Sequence, residues 1–193
     1  MRKLIVSNLI SLDGYASGPG DDVMALPFDT TFSDYNLELM QAADTLVSGA
    51  TTYRAFVSYW PPVADDPAQP EVERAISRRH RELEHLVVSD NLTVEETGPW
   101  RETTRIVRRD DAGDAIAEAK DGEGGALVAF GSMTTWNGLL DARLVDELHM
   151  MVGAGVLVDG VPAFSVRPPG PMRLTSARQL GDSNIALLVY SLR

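Results

Sequence analysis

The chain has 193 residues, 44% of them hydrophobic, and a formal net charge of −11. This length suits one domain, residues 1–193, with a full hydrophobic core. The chain contains no cysteine, which excludes disulfides, thiolate nucleophiles and cysteine-ligated zinc. The acidic balance argues against nucleic acid as a partner, because phosphates must be neutralised by Lys and Arg. No stretch approaches the roughly 20 apolar residues that span a bilayer, so no membrane partner is expected.

Short apolar runs alternate with amphipathic segments along most of the chain. The patterns predict strands at 4–10, 45–48, 85–89, 103–108, 126–130 and 144–152, and helices at 33–43, 51–59, 72–83, 110–120 and 132–140. Ser33 is the expected N-cap of the first helix. Residues 15–32, rich in Gly, Pro and Asp, are predicted to form an irregular loop.

The end of the chain follows a different pattern. Residues 172–179 and 184–192 are predicted to form an antiparallel pair that turns at Gly181-Asp182. Alternating strands and helices indicate a largely parallel sheet covered on both faces, and the last three strands add an antiparallel edge. We expect strand 144–152 and the final hairpin to offer an apolar edge for a homodimer.

The first residues could be mistaken for a signal peptide. The apolar run after Met1 is broken at Ser7 and Asn8, and no small-residue cleavage site follows. A buried first strand explains the segment better, so we expect a cytoplasmic protein.

Small polar residues stand at the ends of three predicted strands. They are Ser48-Gly49-Ala50-Thr51-Thr52, Ser89-Asp90-Asn91 and Gly131-Ser132-Met133-Thr134. Parallel sheets bind ligands beyond the carboxyl ends of their strands. Two of these segments lead into helices, whose N-termini suit phosphate, and together they could hold a pyrophosphate. The alternative is that the glycines and threonines only punctuate and cap the helices.

Other chemistries lack a signature. The three histidines show no paired metal-ligand spacing, so no metal site is predicted, and His149 is expected to be a core histidine. No G-x-S-x-G, Walker loop or G-x-G-x-x-G is present. Tyr53 and Phe56 are predicted in the core, whereas Trp60, just before two prolines, is expected to line a pocket.

Several segments together resemble a known family. They are Arg2–Ser7 with Ser11–Gly14, Leu46–Tyr53, Leu86–Ser89, Phe130–Ser132, and Leu139–Leu140 with Leu144–Leu148. The chain resembles the dihydrofolate-reductase-like superfamily, and within it the stand-alone relatives of the reductase domain of the riboflavin-biosynthesis deaminase–reductase. The resemblance implies a mostly parallel eight-stranded central sheet with helices on both faces and an antiparallel C-terminal hairpin. It also implies an NADPH-type cofactor.

The resemblance further implies a set of binding residues. Gly49, Ala50, Thr51 and Thr52 would face one phosphate; Gly131, Ser132, Met133 and Thr134 the pyrophosphate; Ser89 and Asp90 the adenosine ribose. The Asp13-Gly14 loop would flank the nicotinamide. The substrate would lie between the first strand and the helix after Ser33, near Ser7, Tyr15, Phe32 and Trp60.

This chain departs from the family pattern at several positions. Ala50 stands where the family commonly has Arg, and Asp90 stands where a 2′-phosphate is expected, so NADH is the alternative cofactor. Arg105 or Arg108 could supply the missing charge. Ser7 and Phe130 replace a usual Lys and Glu, which disfavours the ribosylaminopyrimidine phosphate as substrate.

The resemblance therefore implies an NAD(P)H-dependent reductase of a small pterin- or pyrimidine-like heterocycle. Asp34, or an ordered water, is the expected proton donor, with Asp29 as the next candidate. Both aspartates have the alternative of capping a helix or lying in a loop. The alternative function is a non-catalytic nucleotide-binding or interaction module that kept the fold and lost the basic phosphate contacts.

Overall fold

A computed structural model describes residues 1–193. The strands are β1 (Leu4–Ile10), β2 (Tyr15–Ser17), β3 (Ala43–Gly49), β4 (Glu84–Val88), β5 (Thr104–Val107), β6 (Ala126–Phe130), β7 (Glu147–Val152), β8 (Val161–Pro162), β9 (Arg173–Gln179) and β10 (Ala186–Ser191). The helices are α1 (Thr30–Gln41), α2 (Ala50–Val63), α3 (Glu71–Glu82), α4 (Ala112–Asp121) and α5 (Met133–Asp141). Short 3-10 segments occupy Val23–Ala25, Val94–Thr103 and Arg109–Asp111.

Eight strands form one sheet in the order β5-β4-β3-β6-β1-β7-β10-β9. The six strands from β5 to β7 run parallel, and β10 and β9 complete the sheet as an antiparallel hairpin. The predicted fold class is therefore confirmed. β2 and β8 form a separate two-stranded sheet.

The sheet is covered by apolar side chains on both faces, as parallel strands require. All seven residues of β1 are buried, and successive side chains point to opposite faces. Leu4 and Val6 join a cluster with α4 and α5, while Ile5 and Leu9 join a cluster with α1 and α3. No helix is both long and apolar enough to cross a membrane.

Three expectations about the elements are wrong. The first helix begins at Thr30, because the carboxylate of Asp29, not Ser33, caps it: Phe32 N donates to Asp29 Oδ1 over 3.2 Å. β2 and a 3-10 turn interrupt the predicted loop of residues 15–32. The predicted strand 144–152 begins only at Glu147 and lies between β1 and β10, so it offers no free edge.

Candidate functional site

The candidate site begins at the edge of the sheet where the parallel strands end, here called the carboxyl rim. β4, β3 and β6 are neighbours and parallel, so Ser89, Gly49 and Gly131 follow one another along this rim. The sequence alone does not order these strands, but the structure brings the three polar strand ends together.

Two of these turns are joined directly by hydrogen bonds. Gly49 N donates to Ser132 Oγ over 3.1 Å, and Ser132 N donates to Thr52 Oγ1 over 3.1 Å. A Cβ on Gly49 would lie 2.6 Å from Thr135 Oγ1, so the approach of the turns depends on glycine there. Gly131 and Ser132 have φ of 57° and 54°, the left-handed region that favours glycine.

The helices that start at this rim are suited to an anion. No side chain caps the N-terminus of α2 or α5, and neither first turn carries an acidic residue. Uncapped first-turn N–H groups and the helix dipole favour phosphate oxygens. The donor set therefore fits the phosphates of a dinucleotide, although the amides of Gly49 and Ser132 themselves already donate to hydroxyls.

The rim beyond β4 carries an aspartate between two arginines. Asp90 accepts a hydrogen bond from Arg109 N (3.1 Å), and its carboxylate lies 3.5 Å from Arg109 Nε and 3.9 Å from Arg108 Nε. Arg105 instead donates to Glu118 over 2.8 Å. The hydroxyl of Ser89 accepts from Leu92 N (3.0 Å) and so holds its own turn.

A polar row lies on the α1 face of the sheet, deep beneath the helix. Ser7 is in register with Phe130 on β6 and with His149 on β7, and its hydroxyl donates to Asn36 Oδ1 on α1 over 3.3 Å. Ser7, Asn36 and His149 are all buried. We call these residues, together with Tyr35, the floor of the site.

A chain of hydrogen bonds leads from this floor to the surface. Tyr35 Oη lies 2.7 Å from His149 Nδ1, His149 Nε2 lies 3.1 Å from Glu147 Oε2, and Lys3 Nζ donates to Glu147 Oε1 over 2.6 Å. Tyr35 is 8% exposed and His149 6%.

Burial shifts the pKa values along this chain. It raises the pKa of Tyr35 to about 12. Burial also lowers the pKa of His149, although the hydrogen bond with Glu147 opposes the shift. Burial alone would raise the pKa of Glu147, but hydrogen bonds from Lys3 and His149 outweigh it and lower the pKa. Near neutral pH the phenol and imidazole are therefore neutral and the carboxylate is charged.

Asp13 holds a second loop at the carboxyl rim. Its carboxylate accepts hydrogen bonds from Ser11 Oγ (2.6 Å), Val158 N (2.8 Å) and Leu157 N (3.1 Å). The bond from Ser11, followed by the backbone bonds, lowers the pKa of Asp13 to about 2. The segment after β7 is thereby fixed beside the end of β1.

The other predicted site residues are dispersed. Asp34 is exposed on α1, and its carboxylate makes no hydrogen bond or ion pair. The Tyr15 hydroxyl donates to Val158 O over 3.2 Å, and Phe32 packs edge-on against Phe28 with ring centroids 5.0 Å apart. Trp60 stacks on His80 at 5.3 Å, within the packing of α2 against α3.

Sequence reasoning missed Tyr35, Asn36 and the contact partners of His149. The available signals were a histidine within an apolar strand and the shared helical face of residues 35, 36, 39 and 40, all of which are buried. Two cavities lie at the opposite edge of the sheet, where the parallel strands begin. One of about 420 Å³ is lined by Pro61, Arg81, Pro99, Trp100, Glu102 and Thr103, and one of about 190 Å³ by Met1, Arg2, Lys3, Asp146, Glu147, Ser191 and Arg193.

The fold and the rim define an α/β protein of the dihydrofolate-reductase-like class. Residues 2–185 match the family described as the RibD C-terminal domain, so the chain belongs to that family. This membership indicates a reductase-like protein. A sequence search of curated proteins gave no match.

Solved structures share the fold at low sequence identity. A protein of Shewanella sp. PV-4, provisionally assigned to riboflavin biosynthesis, is 21% identical with a TM-score of 0.68, and 98% of each chain is covered. A pyrimidine reductase-like protein of Corynebacterium diphtheriae is 15% identical with a TM-score of 0.66, covering 98% of this chain and 91% of that one.

A larger relative shows the same fold in part of its length. The diaminohydroxyphosphoribosylaminopyrimidine deaminase/5-amino-6-(5-phosphoribosylamino)uracil reductase of Thermotoga maritima is 11% identical with a TM-score of 0.64. The match covers 98% of this chain but 56% of that one. This chain therefore corresponds to about half of that protein.

Proposed function

We propose that this protein is an NADPH-dependent reductase of a small pyrimidine- or pterin-like heterocycle. The observation that carries the proposal is the contact between the Gly49 and Gly131 turns, which sets two uncapped helix N-termini side by side on one rim. Membership of the RibD C-terminal domain family supports it. The reaction needs a reduced nicotinamide, so a cytoplasmic location is part of the proposal.

The cofactor would be held along the carboxyl rim. Its phosphates would face the first turns of α2 and α5, through Ala50, Thr51, Met133 and Thr134. When bound, it would supply a hydride from nicotinamide C4. The protein's own contribution would be to orient the two reactants and to exclude water.

Asp90 alone would repel a 2′-phosphate, but it does not stand alone. The Arg108 and Arg109 side chains are 74% and 71% exposed, and their guanidinium groups flank its carboxylate. Each can turn toward a phosphate, which arginine binds well. This arrangement supports NADPH, whereas loss of the two arginines would leave the aspartate to favour a free ribose, as in NADH.

The substrate would enter between α1 and β1. Ser7 and Phe130 lie side by side where the resemblance leads one to expect Lys and Glu. The floor therefore offers a hydroxyl and an amide, from Ser7 and Asn36, beside an aromatic ring. This combination suits a flat, uncharged heterocycle better than one that is held by a charged group at this position.

Fluorescence titration with NADPH and NADH tests the cofactor site. Gly49→Val places a β-branched side chain against Thr135, so we expect NADPH affinity to fall at least about tenfold, equivalent to about 1.4 kcal/mol. Gly138→Val is the matched control, because a Cβ there meets no atom within 4 Å. Arg108→Ala with Arg109→Ala should weaken NADPH but not NADH, whereas Arg105→Ala should affect neither. If the wild-type protein binds neither cofactor, the proposal fails.

One observation favours a non-catalytic module as the second candidate. Two rim amides, of Gly49 and Ser132, already donate to hydroxyl oxygens within the protein. Backbone N–H groups that are already hydrogen-bonded within the protein do not require a ligand as acceptor. NADPH oxidation coupled to reduction of a pterin, pyrimidine or quinone acceptor would exclude this candidate.

A further inference from the structure

We infer that Asn8 binds the carboxamide group of the nicotinamide and thereby fixes the orientation of the cofactor ring. The inference rests on the proposed function, because its ligand is the proposed cofactor. It adds a residue that lies on β1, outside the three polar strand ends. Asn8 contributes binding and positioning, and the hydride comes from the cofactor.

The Asn8 side chain is a buried amide without a partner. The residue is 4% exposed, and its Nδ2 atom is enclosed and makes no hydrogen bond. Asn137, which is 2% exposed, shows the usual arrangement: its Nδ2 donates to Met133 O and Ala163 O, and its Oδ1 accepts from Ser165 N. A buried donor left unpaired costs free energy, and nearly all such groups in folded proteins have a partner. Asn8 therefore has a hydrogen-bonding group available for a ligand.

The strand register places Asn8 beside the carboxyl rim. Ser7 on β1 is in register with Phe130 on β6, so the next residues of the two strands, Asn8 and Gly131, are also neighbours. Side chains alternate along a strand, and Val6 packs in the cluster with α4 and α5. The amide of Asn8 therefore lies on the face where α5 begins, one strand spacing of about 5 Å from the Gly131 turn.

The Gly131 turn leaves space for a ligand next to Asn8. Gly131 and Ser132 are half-buried, and a Cβ added to Gly131 would lie 3.5 Å from Thr52 Cγ2, the nearest atom outside the turn. The Oδ1 end of the Asn8 amide also makes no hydrogen bond but, unlike Nδ2, is not enclosed. Since the χ2 torsion of asparagine is broad, the amide can turn both its acceptor and its donor toward this space.

The strand order determines which part of the cofactor reaches Asn8. Along the rim, β4, β3, β6 and β1 follow one another, and they present Asp90, the Gly49 turn, the Gly131 turn and Asn8 in that order. In the proposed binding mode the adenosine ribose lies at Asp90 and the phosphates lie at the two glycine turns. The nicotinamide half is therefore the part that extends to β1.

The carboxamide is the group of the nicotinamide half that matches the Asn8 side chain. A primary amide carries an acceptor oxygen and an N–H₂ donor in one plane, so two primary amides can pair edge to edge. Nδ2 of Asn8 donates to the nicotinamide oxygen, and Oδ1 accepts from the nicotinamide nitrogen. An anchored carboxamide prevents the ring from turning over about its glycosidic bond. One face of C4 is then presented to the α1 side, where Ser7 and the proposed substrate position lie.

Binding of cofactor analogues tests this contact without turnover. Asn8→Leu keeps the shape of the side chain and removes its hydrogen-bonding atoms, so NADPH affinity should fall about fivefold. Affinity for 2′,5′-ADP, which lacks the nicotinamide, should stay within about twofold. The wild type should bind NADPH about fivefold more tightly than its reduced 3-acetylpyridine analogue, in which a methyl group replaces the amide nitrogen. Asn8→Leu should lose this preference, and the comparison isolates the contribution of the Asn8 contact.

The stability of the cofactor-free protein separates a binding role from a structural one. Asn8→Leu replaces an unpaired buried amide by an apolar group of similar volume, so the equilibrium constant for unfolding in urea should fall about fivefold. Asn137→Leu is the matched control, because it leaves three buried backbone groups without their partner and should raise that constant. A purely structural asparagine would lose stability and cofactor affinity together.

The outcomes distinguish this inference from the proposed function. If Asn8→Leu binds NADPH as tightly as the wild type does, or keeps the preference over the acetylpyridine analogue, Asn8 does not hold the carboxamide and the proposed function still stands. A less stable Asn8→Leu protein would show that the amide has a partner within the fold, which also overturns the inference. If the wild type binds no dinucleotide, the proposed function fails and the inference fails with it.

Discussion

At the scale of single residues, Asp146 joins three separate parts of the chain. Its carboxylate accepts from Leu4 N over 2.8 Å, lies 2.5 Å from Lys120 Nζ, and also pairs with the Arg193 guanidinium. The Lys120 and Asp146 side chains are only 3% and 6% exposed. The pair thus links the start of β1, the end of α4 and the C-terminus inside the protein.

Removing one member of this buried pair should be costly. Asp146→Ala leaves the Lys120 ammonium buried without its counter-charge, so we expect the free energy of unfolding to fall by about 3–5 kcal/mol. Urea denaturation measures it. Glu118→Ala, which breaks the exposed pair with Arg105, should cost less than about 1 kcal/mol. Equal losses in the two variants would contradict the structural role of Asp146.

Some site residues are visible in the sequence and others are not. Gly49 and Gly131 can be identified because a glycine between a strand and a helix is itself a local sequence signal. Tyr35, His149 and Lys120 cannot, because their roles depend on distant partners. Tyr35 and His149 are 114 residues apart, and Lys120 pairs with Asp146 in another part of the chain. The hydrophobic periodicity predicts only that such residues lie in the core or at the end of a helix. Which polar atoms meet depends on the register of the sheet.

At the scale of elements, α2, α3 and the 3-10 segment Val94–Thr103 enclose a stack of aromatic rings. His85 and Trp100 are parallel at 4.6 Å, and His80 and Trp100 at 5.1 Å. His85 Nε2 lies 2.9 Å from His80 O, to which it donates, whereas Nδ1 of both histidines has no partner. Burial, aided by His85, lowers the pKa of His80 well below 6.5, and burial lowers the pKa of His85.

Acid should therefore destabilise the fold before carboxylates titrate. Between pH 6.5 and the lower pKa values of the folded protein, the unfolded chain binds protons that the folded chain excludes. The free energy of unfolding should fall by about 1.4 kcal/mol per pH unit for each histidine that stays neutral. His149, also with a lowered pKa, adds to this loss. Urea denaturation from pH 5 to 8 should show a plateau above about pH 7.5, and His80→Phe should reduce the slope; a flat profile would refute the assignment.

Element prediction succeeded where periodicity was strong. The predicted bounds of the β6 strand match the structure, and each predicted helix has a counterpart. The 3-10 segment was missed because it has no regular period: Gly98 has φ of 54° and Pro99 follows it. Trp60 was expected to line a pocket, whereas the ring stacked against it is that of His80 on α3, a partner that a local pattern cannot identify.

At the scale of the whole molecule, strand order is the feature that is hardest to predict from the sequence. β6 lies between β3 and β1, so strands far apart in the chain form the centre of the sheet. The alternation of strands and helices predicted parallel pairing, and the family resemblance implied eight strands. Neither says which strands are edges, so the dimer edge was expected on strand 144–152 together with the final hairpin, of which only β9 is an edge strand.

Of the segments expected to form the dimer contact, the structure leaves β9 of the final hairpin at an edge of the sheet. This strand is at the edge of the sheet, all its residues but Ser176 are exposed, and Leu174 keeps 49% of its surface in solvent. An exposed edge strand carries unpaired backbone groups that can pair with a second copy. We expect light scattering at micromolar concentration to give twice the 21.0 kDa chain mass.

Matched variants locate that contact. Leu174→Glu should shift the mass to that of one chain, because like charges would face each other across two paired β9 strands. Leu12→Glu, at a leucine in the loop after β1 that is 65% exposed, should leave the mass unchanged. A monomeric wild type would reject the dimer, and a dimer indifferent to Leu174→Glu would place the interface on another surface. In either case, the charges of Arg173 and Arg178 on β9 would be what keeps this edge strand from pairing with a second copy.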